Sequence, residues 1–179
     1  MVDEHDLISR ITQGDKNALK EIYELYAQKV YNLILNRFND KFLAEDITQD
    51  VFLTIYDKSI LFRGDSLIST WIYRIAFNKC LDELKRRKKT INQMYTTTYQ
   101  ELENDDETKV SVNLTAIISA VNLLKQSQKE AFTLVYLDKF SQREASEIMS
   151  MNIKAFESLL YRARLSLQST LSKNKGFIK

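Results

Sequence analysis

Apolar residues recur at intervals of three and four along most of this chain. Leu19, Ile22, Tyr23, Tyr26, Val30, Leu33 and Ile34 form one such stripe, and Leu43, Ile47, Val51 and Ile55 a second with a spacing of four. Both are the signature of a helix with one buried face. Phe62-Arg63-Gly64-Asp65-Ser66 breaks the pattern; Gly64 predicts a turn, and Asp65 or Ser66 a cap for the next helix. That helix is expected from Leu67 to Lys88, with Ile72, Ala76, Cys80 and Leu84 on its apolar side. Periodicity lapses between Ile91 and Asn113, where Thr96-Thr97-Thr98 leads into Glu101, Glu103, Asp105, Asp106 and Glu107 against a single Lys109. A polar, acidic, aperiodic stretch predicts a flexible linker.

The helical pattern returns at Leu114, Ile117, Ile118, Val121 and Leu124. Ser127-x-x-Glu130 and Ser141-x-x-Glu144 predict capping boxes, in which a hydroxyl and a carboxylate satisfy each other's backbone N–H groups. Asn152 is the expected cap of a final helix with the stripe Phe156, Leu160, Ala163, Leu167 and Leu171. A short helix, a tight turn at Ser150-Met151-Asn152 and a longer helix predict a helix-turn-helix. The expected fold is all-α: two small helical domains, residues 1–90 and 114–179, joined by the linker 91–113.

Composition narrows the chemistry. The 179 residues include no proline and three glycines, which favours helices over turn-rich β structure. Cys80 is the only cysteine and His5 the only histidine. That excludes an intrachain disulfide, a cysteine-based zinc site and a multi-histidine metal site. No nucleophile, base and orienting group stand out together, so neither an enzyme nor a metal or cofactor site is expected. The polar start Met-Val-Asp-Glu-His-Asp is not a signal peptide, and no apolar run approaches the ~20 residues of a membrane span. A cytoplasmic protein is expected.

The net charge of +2 says little, but its distribution says more. Residues 1–90 carry fifteen Lys/Arg against fourteen Asp/Glu, the linker one against five, and residues 114–179 ten against five. A second basic concentration ends the third helix, Lys85-Arg86-Arg87-Lys88-Lys89. On that helix Trp71, Arg74, Asn78 and Lys85 share a side, a mixture suited to single-stranded nucleic acid: rings stack on bases while cations follow phosphates. On the final helix Lys154, Ser158, Tyr161 and Arg162 oppose the apolar stripe near its start, where a recognition helix meets the major groove; Arg143, on the preceding helix, is a phosphate candidate. Read as residues alone, the final helix is also compatible with a solvated face, Trp71 with a core position beside Ile75 and Ile68, and the basic run with a solubilising helix end. Glu45-Asp46-Ile47-Thr48-Gln49-Asp50 suits a protein partner better than DNA, because its carboxylates repel phosphate.

Together these motifs resemble a known family. Ala44-Glu45-Asp46-Ile47-Thr48-Gln49-Asp50-Val51-Phe52 is similar to region 2.2 of bacterial sigma factors. Phe62-Arg63-Gly64-Asp65-Ser66, with Thr70-Trp71-Ile72-Tyr73-Arg74-Ile75-Ala76 and Asn78, resembles regions 2.3 and 2.4 of the extracytoplasmic-function (ECF) group. Glu157-Ser158-Leu159-Leu160-Tyr161-Arg162-Ala163-Arg164 resembles the end of region 4.2. The resemblance implies a subunit that binds bacterial core RNA polymerase and opens promoter DNA. It makes Asp46, Gln49, Asp50 and Phe52 the polymerase contact. It implies that the loop Phe62, Arg63, Gly64, Asp65 and Ser66 receives a flipped base of the −10 element. Trp71, Arg74 and Asn78 would then hold the separated strand, with Lys85, Arg86 and Arg87 on phosphates. Arg143, Lys154, Glu157, Ser158, Tyr161 and Arg162 would read the −35 element. An anti-sigma factor is a further partner it allows, one that would hold the protein at the inner face of the membrane.

Three positions depart from the family pattern. Glu157 stands where a basic residue is common, Lys125 where proline is common, and Ser150 where the turn often has glycine. A regulator binding duplex DNA alone would account for residues 114–179 but not for Trp71 with Arg74 and Asn78. A helical interaction scaffold would leave both basic concentrations unexplained.

Overall fold

The structure, a computed structural model, describes residues 4–94 and 120–175. The chain falls into two compact units, one of Met1–Asn92 with Glu147–Ser150 and the other of Gln93–Ser146 with Met151–Lys179. Among the described residues there are helices and turns but no strand.

The first unit contains α1 (Glu4–Thr12), α2 (Lys16–Phe38), α3 (Lys41–Lys58), a 3-10 turn (Ser59–Leu61) and α4 (Ile68–Met94). The two predicted stripes become its core: Ile22, Val30 and Ile34 of α2 and Val51 and Ile55 of α3 are wholly buried, as are Ile72, Ala76 and Cys80 of α4. Burying each large aliphatic side chain is worth roughly 1.5–3 kcal/mol, and α2 packs along α3. Its helix starts are sharply set. The Asp15 carboxylate accepts from the N–H groups of Asn17 (2.8 Å) and Ala18 (3.3 Å) to cap α2. Asp40 caps α3 through the Leu43 N–H at 3.1 Å. Between them Asn39 takes the left-handed conformation, φ 50°, that closes α2.

α1 does not stand out from the sequence as a separate helix. Leu7, Ile8 and Ile11 bury its inner face, and Gly14 (φ 88°) turns the chain into α2. The predicted cap of α4 is also displaced. The helix begins at Ile68, with the Trp71 N–H donating to the Leu67 carbonyl, so Leu67 occupies the cap position and neither Asp65 nor Ser66 does. α4 runs to Met94, past the Ile91 boundary expected for the linker. The remainder of that segment, and residues 114–119 of the next predicted helix, lie outside the described residues.

The second unit begins with helical residues 120–122 and continues with α5 (Gln126–Tyr136), α6 (Gln142–Ile148) and α7 (Ile153–Lys175). Ala120 and Leu124 pack with Ala163 and Leu167 in one cluster, flanked by Val121, Phe132 and Leu171. α5 lies against α7, and Phe156, Leu160 and Leu134 are buried. One expected capping box fails and the other forms. α5 starts at Gln126, which puts Ser127 inside its first turn. Glu130 is buried and accepts from the Gln126 side-chain amide at 2.6 Å instead of reaching back to a cap. In α6 the box is complete: the Ser141 N–H donates to Glu144 at 2.8 Å and the Glu144 N–H to the Ser141 hydroxyl at 3.2 Å.

The turn between α6 and α7 is built by Ser150. It adopts φ 53°, and the N–H groups of Ser150 and Met151 reach back to the carbonyls of Glu147 and Ser146 at 3.0 and 2.8 Å. This is the paired ending in which glycine is usual; serine supplies it here with some backbone strain. Asn152 then caps α7 through the Lys154 N–H at 2.9 Å.

Candidate nucleic-acid interface

Phe62 and Trp71 come from the two sides of the turn that separates the 3-10 segment from α4. Their ring centroids are 5.3 Å apart, in a tilted arrangement. His5 of α1 lies on Phe62 at 5.7 Å. Trp71 is thus neither a core residue nor fully solvated: it is half-buried, with Phe62 as its support. Gly64, at φ 76°, gives the turn a backbone that side chains rarely adopt. Arg63, Gly64 and Asp65 are exposed. A hollow of about 360 Å³ opens here, lined on one side by Ile60, Phe62, Arg63 and Gly64. Arg74 and Asn78 follow Trp71 along the same face of α4, as their spacing requires.

The basic end of α4 divides into two kinds of residue. Arg86 forms a two-pronged pair with Glu83 (2.6 and 2.8 Å). Arg87 also reaches Glu83 (2.9 Å), extends to Asp40 (3.5 Å) and covers the Phe38 ring at 5.2 Å. Arg87 therefore fastens α4 to the junction of α2 and α3. Arg86, whose hydrogen bond to Glu83 is the leading cause, holds that carboxyl below the usual range, with Arg87 adding to the effect. Lys85 is turned to solvent beside Asp82, and Lys88 and Lys89 are exposed.

On α3 the residues Glu45, Asp46, Gln49 and Asp50 are exposed. Asp50 stands 3.8 Å from Lys79 of α4. Phe52 differs from the expectation of a surface contact. Only 5% exposed, it is packed under Tyr23 at 4.7 Å, because its position falls on the core side of α3. A shallow hollow of about 420 Å³ between α2 and α3 is lined by Tyr23, Gln28, Tyr31, Glu45 and Gln49 among others. Phe42 and Leu53, 82% and 62% exposed, lie in line with Asp46 and Gln49 at offsets of four, seven and eleven. Sequence reasoning missed both, although two apolar residues on a polar face were the available signal.

In the second unit Lys154, Glu157, Ser158, Tyr161 and Arg162 are all exposed along one face of α7, and Leu165 extends it by one turn. Ser158 donates to the Lys154 carbonyl at 2.9 Å and Arg162 to the Ser158 carbonyl at 3.2 Å, so the helix itself steadies these side chains. Arg143 of α6 is exposed. Arg164 is different: it donates to the Tyr136 hydroxyl at 2.6 Å and ties α7 to α5.

Among the described residues no set of His, Cys, Asp and Glu is placed to hold a metal ion, and no helix is long and apolar enough to cross a membrane.

Residues 22–90 match the Sigma-70 region 2 family and residues 114–167 the Sigma-70 region 4 family. The chain is 30% identical to the ECF RNA polymerase sigma factor SigM of Bacillus subtilis over 160 residues, covering 87% of this chain and 96% of that one. It is 27% identical to SigW of the same organism, another ECF RNA polymerase sigma factor, over 92% of this chain and 94% of that one. The sigma factor RpoE of Bartonella quintana, solved in complex with the anti-sigma factor NepR, has the same fold. The TM-score is 0.62 at 23% identity, over 86% of this chain and 96% of that one.

Proposed function

Because the chain belongs to the ECF sigma factors of RNA polymerase, we propose that its two units divide promoter recognition between them. The first, residues 1–90, docks on core RNA polymerase through the exposed face of α3. Asp46, Gln49 and Asp50 supply the polar contacts and Phe42 and Leu53 apolar ones, while Phe52 supports the face from beneath. The same unit holds the melted −10 element on Phe62–Ser66, Trp71, Arg74 and Asn78, with Lys85 and Arg86 near phosphates. The second, residues 114–179, reads the −35 duplex with Arg143 and the exposed face of α7. The segment 91–113 links them.

One observation carries this reading: a single chain presents two chemically different surfaces, each of a kind suited to nucleic acid. One is aromatic and cationic, beside a base-sized hollow. The other is a polar helix face following a helix-turn-helix turn. Stacking on Trp71 is available only to unpaired bases, so the first face binds the open strands better than the closed duplex. Opening then draws on binding energy and needs no hydrolysis, since a ligand shifts an equilibrium by its preference for one state.

Glu157 belongs on the −35 face as a hydrogen-bond acceptor. It repels phosphate but accepts from a cytosine amino group, which favours a C·G pair opposite it. An anti-sigma factor, the kind of partner bound to the Bartonella protein, would cover these faces, and the protein would act in the cytoplasm or be held beneath the membrane.

The test is transcription in vitro from a pool of randomised promoters, with bacterial core polymerase and the purified chain. Initiation that requires both proteins, from promoters sharing two elements at a fixed spacing, is expected. Duplex binding without initiation would identify a regulator instead.

A further inference from the structure

The hollow beside Phe62 has a second wall. Its other lining residues, His5, Ile8, Ser9, Thr12 and Gln13, come from α1 and the turn after it. α1 precedes the segment matched by the region 2 family, which begins at residue 22. Taking the hollow as the place where the Phe62–Ser66 turn holds the unstacked −10 base, we infer that α1 and the turn after it form its reading edge, with Ser9 and Gln13 as the base-specifying residues.

The inference rests on the −10 reading given above and deepens it. The floor is apolar, built from Ile8, only 4% exposed, and the half-buried Phe62. His5 lies against both Phe62 and the Gly64 backbone: a Cβ at Gly64 would stand 3.8 Å from the His5 ring. This contact joins α1 to the turn beside the hollow. At about 360 Å³ its size is near the lower end of small-ligand pockets, roughly 300–1,000 Å³.

The rim is polar and chemically varied. The Thr12 hydroxyl is already committed to the Ile8 carbonyl at 3.0 Å. Ser9 and Gln13 are exposed, and their side chains have no hydrogen-bond partner among the described residues. His5 and Ser9 are four positions apart on α1, and Gln13, in the turn directly after it, continues the edge that they present to the hollow. A glutamine amide offers donors and an acceptor together, and a serine hydroxyl offers both as well. That combination discriminates between base edges, whereas Arg63 across the hollow supplies only donors. Ile8 and Phe62 would provide contact to any base; Ser9 and Gln13 would decide which.

α1 is positioned for this by contacts independent of the hollow. Arg10 pairs with Asp15 at 2.7 Å, and the Tyr26 hydroxyl donates to Glu4 at 2.7 Å. Substituting the two exposed rim residues should therefore leave the helix in place.

The experiment uses holoenzyme assembled from core polymerase and the full chain, with a promoter pool randomised across the −10 element and the transcripts sequenced. Ser9→Ala and Gln13→Ala, singly and together, are expected to relax the base preference at one −10 position by roughly five- to hundredfold. Preference at the other −10 positions and at −35 should stay as in the wild type. Phe62→Ala and Arg63→Ala report on the turn in the same assay. Wild-type initiation with an unchanged preference profile in the α1 variants overturns the inference while leaving the −10 reading intact. A uniform loss of transcription without a change in preference also overturns it, and assigns α1 a structural role. Failure of the wild-type protein to initiate from any promoter in the pool would instead remove the −10 reading itself.

Discussion

Trp71 has two neighbourhoods, and its substitution separates them. One side of the indole leans on Phe62 at 5.3 Å, and the ring is half-buried, with part of it reaching solvent. Base–aromatic stacking is worth roughly 1–3 kcal/mol, which corresponds to about one to two decades in an opening equilibrium. Trp71→Ala is therefore expected to reduce initiation from duplex templates by that factor and to recover most of it on templates already melted at −10. Closed-complex binding, measured in parallel, should change little. Equal losses on duplex and bubble templates, with a lowered melting temperature, would show that the ring matters only as packing. The Trp71, Arg74 and Asn78 face was legible in the sequence because their spacing is local to one helix. Phe52 was not: its partner, Tyr23, is on another helix, and periodicity along α3 says nothing about what covers it. Glu130 shows the same limit. Its place in a capping motif was visible, but the structure buries it against Gln126, because α5 starts one residue before Ser127.

At the scale of elements, α1 was hidden because it is short and its three buried residues lie close together. Its buried Leu7, Ile8 and Ile11 are supplemented by a charge cluster that the sequence disperses over sixteen positions. Arg10 lies near Asp6 (3.8 Å), Asp15 (2.7 Å) and Glu21 (3.5 Å), and Asp15 also caps α2. The hydrogen bond from Arg10 is the leading cause that lowers the Asp15 carboxyl below its ordinary range, followed by the Asn17 N–H. Glu83 is lowered likewise by Arg86 and Arg87 at the other end of the unit. Both carboxyls are depressed in the folded state, so the unfolded chain takes up their protons first as the pH falls. Their stabilisation is present in full above the unfolded values, about 3.9 for Asp and about 4.3 for Glu, and is lost as the pH falls through the folded values. The melting temperature of the first unit should accordingly drop as the pH falls below about 5. Asp15→Asn with Glu83→Gln should flatten that drop, because asparagine still caps a helix while neither side chain titrates. Parallel profiles for variant and wild type would assign the acid sensitivity elsewhere.

Each unit has a core of its own, one in the stripes of α2, α3 and α4 and the other in the cluster of Ala120, Leu124, Ala163 and Leu167. This division was readable from the lapse in periodicity, since no stripe spans it. It has an energetic consequence for the assembled holoenzyme. In the proposed division of roles Asp46 on α3 belongs to the polymerase face, while Lys154 and Arg162 on α7 belong to the −35 face. Asp46→Lys should weaken association with core polymerase and leave each unit folded, because the side chain is exposed. Asp50 is a poorer choice, since reversal there would also place a lysine against Lys79. Lys154→Ala with Arg162→Ala should weaken promoter binding and lower its salt dependence, with the log–log slope falling by about one for each phosphate no longer neutralised. If the faces act independently, these losses add in free energy to within about 0.3–0.5 kcal/mol when all are combined. Initiation rates at sub-saturating sigma and promoter, measured for the wild type, the Asp46 variant, the α7 variant and the combination, complete the cycle. A coupling well above that margin would mean that polymerase docking and −35 reading share one surface or one rearrangement, and the assignment of one function to each unit would fail.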